Sequence, residues 1–275
     1  MCAILVAHVA DAKARAPIVK SGPPEVLFTF DDGPSLERTP KVLDVLDAHH
    51  VKAIFFVNGW HFIGDKPEAE RARALLREIV RRGHAVGNHT VHHYFLCGQR
   101  GKRVAVDEIE QNARLIEQAI GQRPELYRTP YGSHCKQLDA TLASLGVTHI
   151  GWDIDPQDWK VKNTTLVRDY VIRALHNLHG RNILLMHDVH DDTVRALPQV
   201  LDWLDRENAS RAARGVPTVK VIDYTYLLPP HPLLPPVIDG VGRVLIDHVA
   251  TPPVRRALDG TLRLLGVVFA QPGTS

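Results

Sequence analysis

The feature that most restricts the fold is a repeated change of period between residues 26 and 222. Short apolar runs rich in β-branched and aromatic residues alternate with longer stretches whose apolar residues recur every three or four positions. The short runs read as buried strands and the longer stretches as amphipathic helices. The predicted strands are Val26–Phe30, Ala53–Val57, Ala85–Asn88, Leu126–Arg128, Thr148–Asp153, Asn182–His187 and Thr218–Ile222. Between the first two, Thr39 can cap a helix with Pro40 at its first position, and Val42, Leu43, Val45 and Leu46 then form one face. Leu75, Leu76, Ile79 and Val80 share the next helical face, which closes on Arg81-Arg82-Gly83. Val106, Ile109, Ala113, Ile116 and Ile120 make a third, ending at Gly121. Strands alternating with helices in this way predict one parallel α/β domain, either an open sheet or a closed barrel.

The alternation places that domain at residues 21–227. Residues 1–20 carry a short apolar run and small residues but no basic start, and read as a remnant of a secretion signal or a frayed terminus. From residue 228 a proline-rich linker leads into a weakly helical tail ending at 275, for which the sequence offers no role. A hydrophobic content of 44% supports one large core or two modest ones, and a net charge of +2 argues against the basic stripe of a nucleic-acid binder. No apolar run approaches the ~20 residues of a membrane-spanning helix. Oligomeric state is not readable. Three cysteines are too few for a disulfide scaffold, and Cys97 and Cys135 pair only if the fold brings their loops together.

Parallel α/β folds build their sites where strands end. The first strand ends on Asp31-Asp32, followed by Gly33-Pro34. Such residues commonly make a plain turn, but two adjacent carboxylates otherwise need a cation or a proton between them. The third strand ends in GNHTVHH, where His89 and His93 are four apart, so one helical turn would present both imidazoles on one face. His92 competes with them. The fourth ends in RTPYG, where Arg128 can brace a carboxylate with forked hydrogen bonds and the turn offers the backbone N–H of Tyr131. The fifth leads to WDIDPQDW and the sixth ends in ILLMHD, which sets His187 beside an acid. Each feature alone is ordinary. Five of them at one sheet edge point to a single site.

In this order, TFDDGP, HTVHH, RTPYG, DPQDW and LLMHD strongly resemble the five motifs of the polysaccharide deacetylase family, the NodB-homology domain of carbohydrate esterase family 4. The resemblance runs from about Val26 to Ile222. It implies a distorted (β/α) barrel of seven or eight units and a hydrolase that removes acetyl groups from sugars. It also implies a divalent metal, Zn2+ first with Co2+ or Ni2+ as alternatives, held by Asp32, His89 and His93, with His92 able to replace His93 if the local backbone is distorted. Asp31 becomes the general base, oriented by Arg128, and His187 the general acid. Asp158 is the acid partner of His187, with Asp155 second, and the Tyr131 N–H completes an oxyanion hole. Trp159 and Leu185 wall a slot for the acetyl methyl group.

The implied partner is an acetylated carbohydrate, with N-acetylglucosamine of a peptidoglycan-like or chitin-like polymer expected first. Such a substrate would place the protein outside the cytoplasm. Two other readings compete: an amidase for a non-carbohydrate C–N bond, of allantoinase or cyclic-imide type, and a carbohydrate-binding protein without turnover. The complete Asp-His-His set disfavours the first, and the presence of Asp31 and His187 disfavours the second. Trp60, Tyr94, Phe95 and Tyr131 are the aromatics that either stack on a sugar or belong to the core.

Overall fold

Strand β1, Glu25–Asp31, is buried from Val26 onward, and both of its faces are covered. That is why its sequence reads as a continuous apolar run and not as an alternation. The computed structural model describes residues 21–227, so the expectations placed on residues 1–20 and 228–275 lie outside the described residues. The remaining strands are β2 Ala53–Val57, β3 Ala85–Asn88, β4 Leu126–Tyr127, β5 Thr148–His149, β6 Arg181–His187 and β7 Lys220–Val221. The helices are α1 Thr39–Ala48, α2 Pro67–Arg81, α3 Gln99–Ile120, α4 Lys136–Leu145, α5 Asp158–Val161, α6 Thr164–His176 and α7 Asp191–Ala213.

The strands form one sheet in the order β5-β4-β3-β2-β1-β6, all parallel, with β7 pairing with the start of β1. The sheet curls back on itself. Beyond β5 the chain returns to β6, where Leu185 N–H donates to Ile154 O (2.9 Å) and Asp153 N–H to Ile183 O (2.9 Å). The result is the distorted, incompletely hydrogen-bonded (β/α) barrel that the motif order implies. No helix among the described residues is long and apolar enough to cross a membrane.

The period of two sorts the strands' side chains. Val26, Phe28, Phe30, Phe55, Val57 and Met186 face outward under α1, α2, α6 and α7, where they meet Leu43, Leu76, Val171 and Leu201. Phe30 and Phe55 stack with their centroids 5.1 Å apart. Leu27, Ile54, Phe56, Leu126 and Ile150 fill the inside, and Ile222 and Leu227 pack with them. Each such side chain contributes ~1.5–3 kcal/mol when fully buried. On β1 the inward series continues as Thr29 and Asp31, so the interior becomes polar towards the strand ends.

Three local expectations need correction. The Thr39 hydroxyl does not cap α1; it bonds to the Asp188 carboxylate and accepts from Ser35 N–H, and Arg38 holds the cap position. Val80 and Val106 lie on the exposed sides of α2 and α3. The fifth strand stops at His149, because the carbonyls of Ile150 and Gly151 accept from the Arg128 side chain.

Candidate active site

Arg128 is the structural centre of the site. Its side chain stands inside the barrel at 0% exposure with its guanidinium 4.2 Å above the Phe56 ring. Nη1 donates to Asp31 Oδ1 (2.7 Å) and Thr29 Oγ1 (2.8 Å), Nε to Ile150 O (3.1 Å) and Nη2 to Gly151 O (2.9 Å). The forked pair expected between Arg128 and a carboxylate is therefore replaced by a single bond. The other donors tie β1 to the chain leaving β5. Asp31 is 3% exposed, and its second oxygen, Oδ2, faces His89 Nε2 at 3.7 Å.

Asp32 follows with φ 72°, in the left-handed region, and its N–H still donates to Phe56 O (3.1 Å). This turn sends consecutive carboxylates to different partners. Asp32 Oδ1 lies 3.4 Å from His89 Nε2 and 3.3 Å from His93 Nε2. One ligand atom from each of the three residues can be chosen so that all lie within 4.8 Å of one another. Burial works against the Asp32 charge, but the imidazoles of His89, His93 and His187 outweigh it and hold its pKa below the ordinary range.

The donor set fits a cation. His89 Nδ1 is 2.9 Å from Arg128 O, and a carbonyl only accepts, so Nδ1 carries the proton and the Nε2 lone pair faces Asp32. Asp32 Oδ1 is buried without a hydrogen bond. Two lone pairs converging on a buried point need a positive charge between them.

The expected helical turn at His89–His93 does not form. Thr90 (φ 69°) and His93 (φ 56°) are both left-handed, and the segment is a loop. It is held by Asn58 Nδ2 donating to His89 O (2.6 Å), Asn88 Oδ1 accepting from Thr90 N–H (2.9 Å) and Thr90 Oγ1 accepting from His93 N–H (3.1 Å). His92 is turned away. Its Nδ1 and N–H meet the two Glu108 oxygens at 2.6 and 2.8 Å, which excludes it as the alternative ligand.

His187 ends β6 directly opposite Asp31 in register, with Nε2 4.0 Å from Asp32 Oδ2. Its Nδ1 lies 2.8 Å from Asp158 Oδ1, while Asp158 Oδ2 accepts from His187 N–H (2.8 Å) and from the Thr193 hydroxyl. Burial favours neutral imidazole, but the bond to Asp158 and the charges of Asp158, Asp31 and Asp32 win, lifting the His187 pKa to about 9. Asp155 is not the partner, because its Oδ1 accepts from Gln157 N–H.

Around this centre, Leu185 is buried two residues before His187 on the same inward series, and Trp159 is half-exposed next to Asp158. Tyr131 has φ 59° and sets its ring edge-on to His93, centroids 4.5 Å apart. Gly132 must be glycine: φ is 62°, and a Cβ would stand 2.7 Å from the Trp152 ring. Cys97 and Cys135 form a disulfide that ties the loop after His93 to the segment after Tyr131.

The sequence reading missed several supports. Thr29 accepts from Arg128 and donates to Leu184 O, and was findable as the residue two before Asp31 on the same face. His61, whose Nε2 lies 2.7 Å from Asp32 O, gives no such signal. Asp188 is fully buried against Gly33, where a Cβ would come within 2.6 Å of its carboxylate.

Fold and site together define a parallel α/β barrel that sets the Asp31 carboxylate and the His187 imidazole beside a metal-competent Asp-His-His cluster. A family model described as polysaccharide deacetylase matches residues 19–150. A chitooligosaccharide deacetylase of Bradyrhizobium sp. (strain ANU 289) is 35% identical over 201 residues, covering 68% of this chain and 87% of that protein. The peptidoglycan-N-acetylglucosamine deacetylase PgdA of Listeria monocytogenes is 34% identical over 179 residues, 65% of this chain and 35% of that protein. Among solved structures, a family 4 carbohydrate esterase from Streptomyces lividans in complex with acetate superposes with a TM-score of 0.57 at 30% identity, covering 71% of this chain and 91% of the other. The chain belongs to the polysaccharide deacetylase family.

Proposed function

We propose that this protein removes the acetyl group from an N-acetylated sugar, most closely N-acetylglucosamine in a chitin-like or peptidoglycan-like chain, with Asp31 as base and His187 as acid. The observation that carries this reading is the β1–β6 register, which sets a carboxylate and an imidazolium opposite each other beside Asp32, His89 and His93. Asp32, His89 and His93 would hold a divalent ion, Zn2+ by its preference for nitrogen and carboxylate ligands, and the bound ion would supply the charge that acidifies a water and polarises an acetyl carbonyl. Asp31, fixed through Oδ1 by Arg128, takes the water's proton on Oδ2. His187 returns a proton to the leaving sugar amine through Nε2, since Asp158 occupies Nδ1. The Tyr131 N–H stabilises the charge that grows on the carbonyl oxygen; losing such a donor typically costs ~10²–10³ in rate. Leu185 and Trp159 bound the slot for the acetyl methyl group. The Cys97–Cys135 disulfide, together with a cell-wall type of substrate, supports a location outside the cytoplasm.

The primary test is acetate release from N-acetylglucosamine oligomers by protein stripped with chelator and then given Zn2+, Co2+ or Ni2+. Activity should vanish on stripping and return with metal, and His89→Ala should abolish both the return and the calorimetric binding of Zn2+. Activity that survives exhaustive chelation would refute metal dependence.

The acid assignment makes a pH prediction. The His187 pKa is raised from 6.5 to about 9, so the proton it donates is present at neutral pH and lost as pH rises through about 9. The same sign holds for stability: the His187–Asp158 contribution is fully present below pH 6.5 and disappears above about 9. In Asp158→Asn the alkaline limb of the kcat profile should move down by about 1–3 pH units, the usual effect of one adjacent opposite charge. An unmoved limb would assign that ionisation to another group.

A further inference from the structure

Each histidine of the Asp-His-His cluster is preceded in the chain by a residue that one helix, α3, holds in place. Asn88 comes before His89. Its Nδ2 donates to Ile109 O (2.8 Å), and its Oδ1 accepts from Asn112 Nδ2 (2.8 Å). His92 comes before His93. Its N–H donates to Glu108 Oε2 (2.8 Å), and its Nδ1 lies 2.6 Å from Glu108 Oε1. Asn112 Nδ2 also donates to Val57 O (2.9 Å), the carbonyl that accepts from the His89 N–H (3.1 Å). Glu108 and Asn112 are four positions apart on α3 and so share one face.

Both side chains are buried, at 6% and 0% exposure. A helix ordinarily turns its polar face to water. Leucine at either position would avoid the cost of desolvating a polar group, but it could not bind the loop. The helix that carries the two side chains is anchored elsewhere. Ala105 and Ile109 pack with Leu96 and Tyr127, and Ile116 and Ala119 lie in the main core. The His89–His93 segment belongs to no helix or strand, so these bonds do for it what a regular backbone ladder does elsewhere.

We propose that Glu108 and Asn112 are positioning residues of the metal site: through His92 and Asn88 they fix the backbone that carries His93 and His89 before an ion arrives. This rests on the metal-dependent deacetylase reading and deepens it, because it makes α3 a determinant of metal affinity.

The test pairs two readouts on the full chain. In metal-free wild type the amides of Thr90 and His92, which bond to Asn88 Oδ1 and Glu108 Oε2, should exchange slowly with deuterium. Fast exchange there overturns the proposal without any substitution, because the loop is then not set in advance. Glu108→Leu and Asn112→Leu should speed that exchange and raise the calorimetric Kd for Zn2+ about tenfold, the lower end of the range for groups that support metal ligands. Glu108→Gln should recover most of the loss, since its amide oxygen can accept from the His92 N–H while its NH2 donates to Nδ1 of the other His92 tautomer. Ile116→Ala, two turns further along α3 and fully buried, should lower Tm but leave exchange and Zn2+ affinity near wild type, which separates positioning from general loss of stability. The proposal fails if Glu108→Leu and Asn112→Leu keep both readouts at wild type, or if Ile116→Ala moves them as far. A wild type that binds no Zn2+ would instead sink the metal reading, and exchange would still decide whether α3 orders the loop.

Discussion

Asp31→Asn should lower acetate release by about 10²–10⁴-fold, the range that a positioned general base supplies, while Zn2+ still binds. The amide oxygen can keep the hydrogen bond from Arg128 Nη1, so the barrel interior is left intact. What changes is the other atom, the one facing His89, which becomes a donor with no capacity to take a proton. Asp32, His89 and His93 are untouched, and metal affinity should stay near that of wild type. Single-turnover acetate release and calorimetric Zn2+ titration on the same preparation check both halves. A rate loss below tenfold would move the base elsewhere. A parallel loss of Zn2+ would make Asp31 a ligand.

Arg128→Met has the largest effect expected on stability. The substitution keeps an apolar stem inside the barrel but leaves the Asp31 carboxylate buried and unpaired, and removes the donors to Thr29, Ile150 and Gly151. Removing one partner of a buried pair costs about 3–5 kcal/mol, which for a domain of this size lowers Tm by roughly 10 °C. The double variant Arg128→Met/Asp31→Asn should regain part of that loss, because the uncompensated charge is gone. Thermal melts followed by circular dichroism measure the cycle. A double variant no more stable than Arg128→Met would show that Arg128 acts through the two carbonyls and not through Asp31.

The sequence was most legible where buried strands meet the site. β1, β2 and the second half of β6 are covered on both faces, so their apolar runs end sharply, and the first acid or histidine after the run in β1 and β6 lies at the strand end; Asp31 and His187 stand at such ends. Legibility failed where side chains replace backbone pairing. Thr148–Asp153 has the composition of a strand, but Arg128 takes the carbonyls that would extend the ladder. The His89–His93 spacing is equally compatible with a helical turn and with a loop containing two left-handed residues. Only the bonds from Asn58, Asn88 and Thr90 select the loop, and the one from Asn58 reaches 31 positions along the chain to the His89 carbonyl. His92 could be set aside only through Glu108, one helix away.

The pairing of β1 with β6 also bears on how the molecule is made. Asp31 and His187 are neighbours in the sheet, yet they are encoded more than half the chain apart. Until residue 187 has emerged from the ribosome, β1 has β2 on one side and a bare edge on the other. Long-range parallel pairing is slow to close, and an apolar strand with an open edge recruits other chains while it waits. Closure of this edge therefore waits for β6, Arg181–His187, and slower translation of residues 150–187 should shift product from the soluble to the aggregated fraction.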